Sequence, residues 1–261
     1  MRINLAIQLL LILVFSFLSS CRKVIHLELN TASPQLVIQG NIYDHGGPYF
    51  VKISKSVNFD ESGIYPAVSG ATVIINDSFG NSDHLTEIEP GTYRTTTLTG
   101  TPGMSYSLLV TIGDQSYAST STMPMGIEIA ELNFQKSLFG NSLLPVVNFS
   151  DPPNITNYYR LIYFINGIQQ DDINVTDDRL SAGQIISYVI RPIDTDNILK
   201  SGDKVTIWLE SIDQGVYEYF RTAGRERGQS ASPANPISNI SNGALGYFSA
   251  SSCRIKSADV R

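Results

Sequence analysis

One short motif in the 261-residue chain has residue types and spacing that point to a definite reaction. Leu18-Ser19-Ser20-Cys21 closes an apolar run that begins at Leu5 and is interrupted only by Gln8 and Ser16, with Arg2 as the one charge before it. A helix that crosses the hydrocarbon core needs about 20 apolar residues, and this run is shorter. A basic start, a short apolar centre and small residues at the end describe an export signal instead. The Leu-Ser-Ser-Cys ending matches a bacterial lipobox, in which Cys21 becomes the first residue after cleavage and its sulfur takes a diacylglycerol. An ordinary signal cleaved nearby would leave a free thiol there. A single acyl chain holds a protein on a membrane only marginally, and two or three hold it stably. The motif therefore predicts a lipid anchor at Cys21.

The other chemistry-bearing residues fall short of a site. With Cys21 acylated, Cys253 has no partner for an intramolecular disulfide; with no basic neighbour before Arg254, it reads as a small, half-buried side chain. His26, His45 and His84 fall in a tether, a Gly-rich turn and a loop, at no spacing that suits a shared metal. No GxSxG elbow or SxxK pair supports a serine nucleophile. Asp171, Asp172, Asp177, Asp178, Asp194, Asp196 and Asp203 fall in turns. Calcium takes about six to eight oxygen ligands, which such loops can supply. Ile198 and Leu199, however, stand where a calcium loop needs an acceptor and a glycine, and Asp is a favoured turn residue in its own right. Glycoside hydrolysis needs two carboxylates set about 5 to 9 Å apart across a sugar, and nothing in the pattern sets them. No catalytic residue, metal site or cofactor is expected.

The chain carries 18 basic and 24 acidic residues, and removal of the leader with Arg2 makes the balance more acidic still. That balance argues against nucleic acid, which needs a basic face. It offers no polybasic attraction to anionic lipid either, so the acyl chains have to hold the protein on the membrane. A chain of this size can bury a sufficient core without disulfides.

Stretches with a two-residue period carry the fold reading. YFVKIS puts Tyr49, Val51 and Ile53 on one face; GATVIIND puts Ala71, Val73 and Ile75 together; YSLLVTI aligns Tyr106, Leu108, Val110 and Ile112. Gly113-Asp114 turns that last strand into QSYASTST, and Asn166-Gly167 makes the strongest hairpin signal of the second half, after YYRLIYFI. IISYVIR follows as a strand, and KVTIWLES buries Val205, Ile207 and Leu209 while Thr206, Trp208 and Glu210 face away. One helix is expected, capped by Asp213, with Val216, Phe220 and Ala223 on one face and Gly224 at its end. The expectation is an all-β protein of two sandwich-like domains, the second carrying one short helix. Its divisions are a signal peptide at 1–20, a tether at 21–35, a first sandwich at 36–125 and a β-rich second domain at 126–261, with the boundary at Met123-Pro124-Met125-Gly126.

The segment PANPISNISNGALGYFSAS, 233–251, is unlike the rest. Pro233 and Pro236 break regular structure, Asn239, Asn242 and Gly243 favour turns, and Leu245, Tyr247 and Phe248 add bulk. Such a loop either packs over an open end of the sandwich or presents an interaction surface made of Asn239, Asn242, Leu245, Tyr247 and Phe248. Packing is the simpler reading.

LVIQGNIYDHGGPYFVKISKSVNFDE, GATVIIND, PGTYRTTTLTGTPGMSYSLLV and the closing NPISNISNGALGYFSA together resemble a Bacteroidota lipoprotein family built on a domain of unknown function, number 4249. The first half is also similar to the carboxypeptidase-regulatory or transthyretin-like sandwiches of TonB-dependent receptors. The resemblance implies an outer-membrane lipoprotein acting beside such a receptor, and it carries no catalytic residues. Cell-surface lipoproteins of these bacteria often have acids just after the acylated Cys. Here Arg22-Lys23-Val24 follow, so both faces of the outer membrane stay open. The expectation is a non-enzymatic accessory protein with an envelope partner; a cell-surface adhesion module is the alternative.

Overall fold

The alternation of the first half closes into two layers of strands. The structure, a computed structural model, describes residues 33–57, 65–138, 142–192, 199–226 and 235–261, with Pro34–Arg261 forming one compact unit. The signal, most of the tether and Cys21 lie outside the described residues, as do Asp194, Asp196, Asn197, Ile198 and Pro233. Strands β1 (Leu36–Tyr43), β2 (Phe50–Lys55), β5 (Thr86–Glu89) and β6 (Thr92–Arg94) form one layer, in the order β1-β2-β6-β5. The facing sheet runs β4-β3-β7-β8, from β3 (Thr72–Asp77), β4 (Ser82–His84), β7 (Ser105–Ile112) and β8 (Gln115–Thr122). Tyr49, Val51, Ile53, Val73, Ile75, Tyr106, Leu108 and Val110 are all buried in one core between them, as their period-2 spacing dictates. His84, expected in a loop, ends β4 with its side chain exposed.

The second half repeats the scheme with longer strands. A sheet of β14-β10-β9, from β9 (Ile129–Lys136), β10 (Leu143–Ser150) and β14 (Ile185–Val189), faces one built on β11 (Tyr158–Ile165) and β15 (Lys204–Ile212). Two short strands, β12 (Ile168–Gln169) and β13 (Asn174–Asp177), both pair with β11. Val147, Phe149, Tyr159, Leu161, Tyr163, Val205, Ile207 and Leu209 fill this second core. Asn166 and Gly167 both have positive φ, the geometry of a two-residue hairpin turn. Helix α1 (Gln214–Glu226) begins at Asp213, whose Oδ1 accepts from the Val216 N–H at 2.9 Å. The helix does not stop at Gly224 as expected. That residue sits inside the last turn, beside Ile173.

The last strand joins the two sandwiches. β16 (Leu245–Asp259) pairs parallel with β1, from Val37↔Leu245 to Tyr43↔Ser251. It then changes partner and runs antiparallel to β15, from Ser211↔Ser252 to Lys204↔Asp259. Gly246 through Cys253 are buried without a break, because both faces of the strand are covered. Phe248 and Ala250 enter the first core together with Ile240 and Ala244, while Tyr247 packs under α1 with Val216, Tyr217 and Phe220. The segment 235–251, placed by sequence with the second domain, thus lies in the first sandwich. A division at residue 125 separates the two cores but cuts across this strand.

Two details fix the crossing. Gly246 has φ of 100°, and a Cβ there would lie 2.0 Å from the Ile38 carbonyl oxygen, so only glycine allows β1 this close. The Asn239 side chain acts as a surrogate strand on the other edge, its Oδ1 accepting from the Phe248 N–H at 2.9 Å and its Nδ2 donating to the Phe248 carbonyl at 2.8 Å. The same loop covers the edge of β8, where the Ser241 N–H donates to Ala118 O at 2.8 Å. Phe248→Ala is expected to cost about 3–5 kcal/mol in urea denaturation, as for other fully buried aromatic rings. Gly246→Ala should be at least as damaging, and a variant of either kind that melts like wild type would show that the β1–β16 pairing is wrong.

Candidate functional site

The five residues of the 233–251 segment are spread over different surroundings. Phe248 is 0% exposed and Tyr247 8%, Asn239 is engaged by the Phe248 backbone, Leu245 is half-buried, and Asn242 alone is fully at the surface. The Asn242 side chain donates to Gln115 Oε1 at 3.2 Å. The two bulky aromatics therefore face cores, and no aromatic anchor from this segment points to solvent.

Among the described aspartates of the second half, Asp177, Asp178 and Asp203 are engaged by nearby donors. Asp177 accepts from the Tyr217 hydroxyl at 2.7 Å and pairs with Arg179; Asp178 accepts from the Asn157 N–H at 2.9 Å; Asp203 accepts from the Lys200 N–H at 2.8 Å. Bonds from Arg179 come first in holding the Asp177 carboxyl below its usual range. Among the described residues, no three His, Cys, Asp or Glu side chains gather as a metal site would require. Cys253, expected to be half-buried, is 7% exposed, and burial pushes its thiol up to about 12, so it stays protonated and inert at neutral pH. His45 lies exposed, stacked on Tyr43 with ring centroids 5.0 Å apart.

Two polar arrangements escape the sequence reading. The first lies where β16 changes partner. Glu210, on the face away from Leu209 as expected, is 1% exposed; its Oε2 pairs with Arg160 Nη1 at 3.2 Å, and the guanidinium lies 3.8 Å over the Phe220 ring. Period 2 correctly sets Glu210 on the face away from Leu209, but it does not reveal that α1 covers that face. Burial first, then the Glu210 charge, drives the Tyr43 hydroxyl well above the usual tyrosine range. Beside this pair, Asp44 accepts from the Cys253 N–H at 2.8 Å and from Arg254 Nη1 at 2.6 Å, and Arg254 Nε reaches Glu128 at 2.7 Å. The loop after β1, the linker before β9 and β16 are locked together there.

The second arrangement is a loop of threonines at 95–101, between β6 and β7. The Asp83 carboxylate, 3% exposed, accepts from the N–H groups of Thr96, Thr97 and Leu98 at 2.9, 2.7 and 2.8 Å, and from the Thr96 hydroxyl at 3.1 Å. The Tyr49 hydroxyl accepts from the Gly100 N–H at 3.0 Å, and the Tyr106 hydroxyl from the Thr101 N–H at 2.7 Å. Three core side chains thus pin one surface loop. Burial alone would push the Asp83 carboxyl up, but the donors from Thr97, Leu98 and Thr96 outweigh it and hold the group below its ordinary value. Clefts of about 430 and 580 Å³ flank the loop and share Thr97, Leu98 and Thr99 as a common wall. Arg94 lines the first, and Phe79, with 81% of its surface exposed, lines the second. The only sequence hint was the run TTTLTGT itself.

These features define an all-β protein whose two sandwiches share a strand and whose threonine loop is pinned by three side chains beneath it. The family pattern described as Domain of unknown function (DUF4249) matches residues 22–257, and the chain belongs to that family. No curated protein matches it. Among solved structures, a DUF4785 family protein from Legionella pneumophila is 15% identical over 70% of this chain and 53% of its own, with a TM-score of 0.28. The chain thus spans about half the length of that protein. A segment of two fibronectin type-III domains from chicken tenascin is 11% identical over 69% of this chain and 92% of its own, with a TM-score of 0.22. Superpositions this poor carry no argument about function.

Removing one member of the Arg160–Glu210 pair should leave a buried charge alone, so Arg160→Met is expected to cost about 3–5 kcal/mol in chemical denaturation. Arg160→Met combined with Glu210→Leu should regain most of that loss; a double variant as unstable as the single one would mean the pair is not the coupled unit. Asp83 makes a separate prediction. Its folded carboxyl lies below an unfolded value of about 3.9, so its stabilisation is complete above that pH and is lost as pH falls through the folded value. Asp83→Asn should therefore lower stability at pH 7 and flatten the loss of stability below about pH 4, as followed by thermal melts across that range.

Proposed function

We propose that the chain is a non-enzymatic binding protein of the bacterial envelope, held on the outer membrane by lipid on Cys21, that assists a TonB-dependent receptor or similar uptake partner. The observation that carries this reading is the leader that ends in Leu18-Ser19-Ser20-Cys21 directly before a family match that opens at residue 22. The acidic balance of the chain supports it, since neither nucleic acid nor a bare anionic membrane would attract such a surface.

Cys21→Ser should move the protein from the membrane fraction to the soluble fraction and remove the acyl mass from its mature N-terminus. Continued sedimentation of the serine variant with outer membrane after a salt wash would reject the anchor. Crosslinking in intact cells, with a receptor of the TonB-dependent class as the identified product, tests the partner; its absence from the crosslinked material would reject the accessory role while leaving the anchor standing.

A further inference from the structure

The threonine loop is built more rigidly than a connecting loop requires. Surface loops ordinarily give their backbone N–H groups to water and vary in conformation. Here the N–H groups of Thr96, Thr97, Leu98, Gly100 and Thr101 all donate to Asp83, Tyr49 or Tyr106. Such a loop loses little conformational freedom when a ligand lands on it. Across the second cleft the β3–β4 turn is held in the same way. Asp77 Oδ1 accepts from the N–H groups of Phe79 and Asn81, each at 2.9 Å, and Oδ2 from the Asn81 side chain at 2.7 Å. The turn fixes the base of the exposed Phe79 ring.

What the two clefts offer selects the ligand. Both carboxylates beside the loop are turned onto their own backbone donors, so neither invites a cation. The loop amides are consumed, so a peptide in search of backbone partners finds few donors. Exposed at the wall are the side chains of Thr97, Thr99 and Thr101, hydroxyls able to donate and accept, with the Thr97 hydroxyl also reaching Asp83 Oδ2 at 3.5 Å. A bare aromatic face at Phe79 and the guanidinium of Arg94 stand on opposite sides of that wall. An apolar platform, a row of hydroxyls and a forked donor match a neutral molecule with hydroxyls on its edge and C–H groups on its face. We propose that these clefts bind a neutral oligosaccharide, one sugar stacked on Phe79 and the chain crossing Thr97 and Thr99 toward Arg94. The combined space suits a ligand of a few rings, since single binding pockets usually measure about 300–1,000 Å³. This site stands whether or not Cys21 carries lipid.

Calorimetric titration of the full chain in detergent, with soluble hexasaccharides of glucose, mannose, xylose and N-acetylglucosamine as probes, tests the assignment. At least one hexasaccharide should bind with a dissociation constant of about 1 mM or tighter. Phe79→Ala should weaken that binding about tenfold or more, as loss of an aromatic anchor does. Arg94→Ala should weaken it by a smaller factor, and Tyr65→Ala, an exposed aromatic near the Pro34 end, should leave it unchanged. All three variants are expected to melt with wild type, because these side chains project to solvent. Absence of binding by all four probes, or unchanged binding in Phe79→Ala, overturns the proposal; retention of it in Cys21→Ser, alongside release from the membrane, would separate it from the anchor.

Discussion

A single strand has to satisfy partners that run in opposite senses, and the rest of the molecule is arranged around that demand. β16 offers its first half to β1 in parallel and its second half to β15 in antiparallel, with no break between. A strand covered on both faces and partnered on opposite edges in succession must have its unused edge closed at each stage. Asn239 closes it beside Phe248, and Asp44 closes it at Cys253. Small residues dominate the crossing, with Ser249, Ala250, Ser251 and Ser252 all buried, because backbone and helix approach from both sides. The buried Arg160–Glu210 pair sits next to this point. It is better understood as setting register than as a net source of stability, since buried ion pairs often merely break even with an apolar replacement.

The layers were legible where burial was one-sided. YFVKIS, GATVIIND and YSLLVTI show which residues face the core because polar and apolar side chains alternate, and Tyr49, Val73 and Leu108 are where that alternation puts them. ALGYFSASSC shows a strand but not its two partners. A serine-rich stretch has no apolar stripe, so nothing local says that both faces are covered. Pairing between β1 and β16, distant in the chain, leaves no local trace either.

The threonine loop was hidden for a different physical reason. Asp83 lies in a short strand, and its role comes from the convergence of three amides that tertiary structure brings to one carboxylate. A sequence pattern can mark Asp as a turn former, but it cannot show that a buried one holds a neighbouring loop. Glu210 teaches the same lesson from the other side. Its face could be read from the alternation, while its burial could not, because the covering helix comes later in the chain.

The β1–β16 ladder has a consequence in time as well as in space. A chain leaves the ribosome N-terminus first, so β1, β2 and their neighbours emerge long before the strand that completes their sheet. Contacts of such large sequence separation form slowly, because the closure of the intervening chain has to precede any reward from pairing. Until β16 arrives, the edge of β1 stays open and the pocket for Phe248 stays empty, a state prone to pair with other chains. The first sandwich therefore cannot mature ahead of the second. The native topology is complete only once residues 245–259 are available to pair, so the sheet of the first sandwich stays open on one side until that strand arrives.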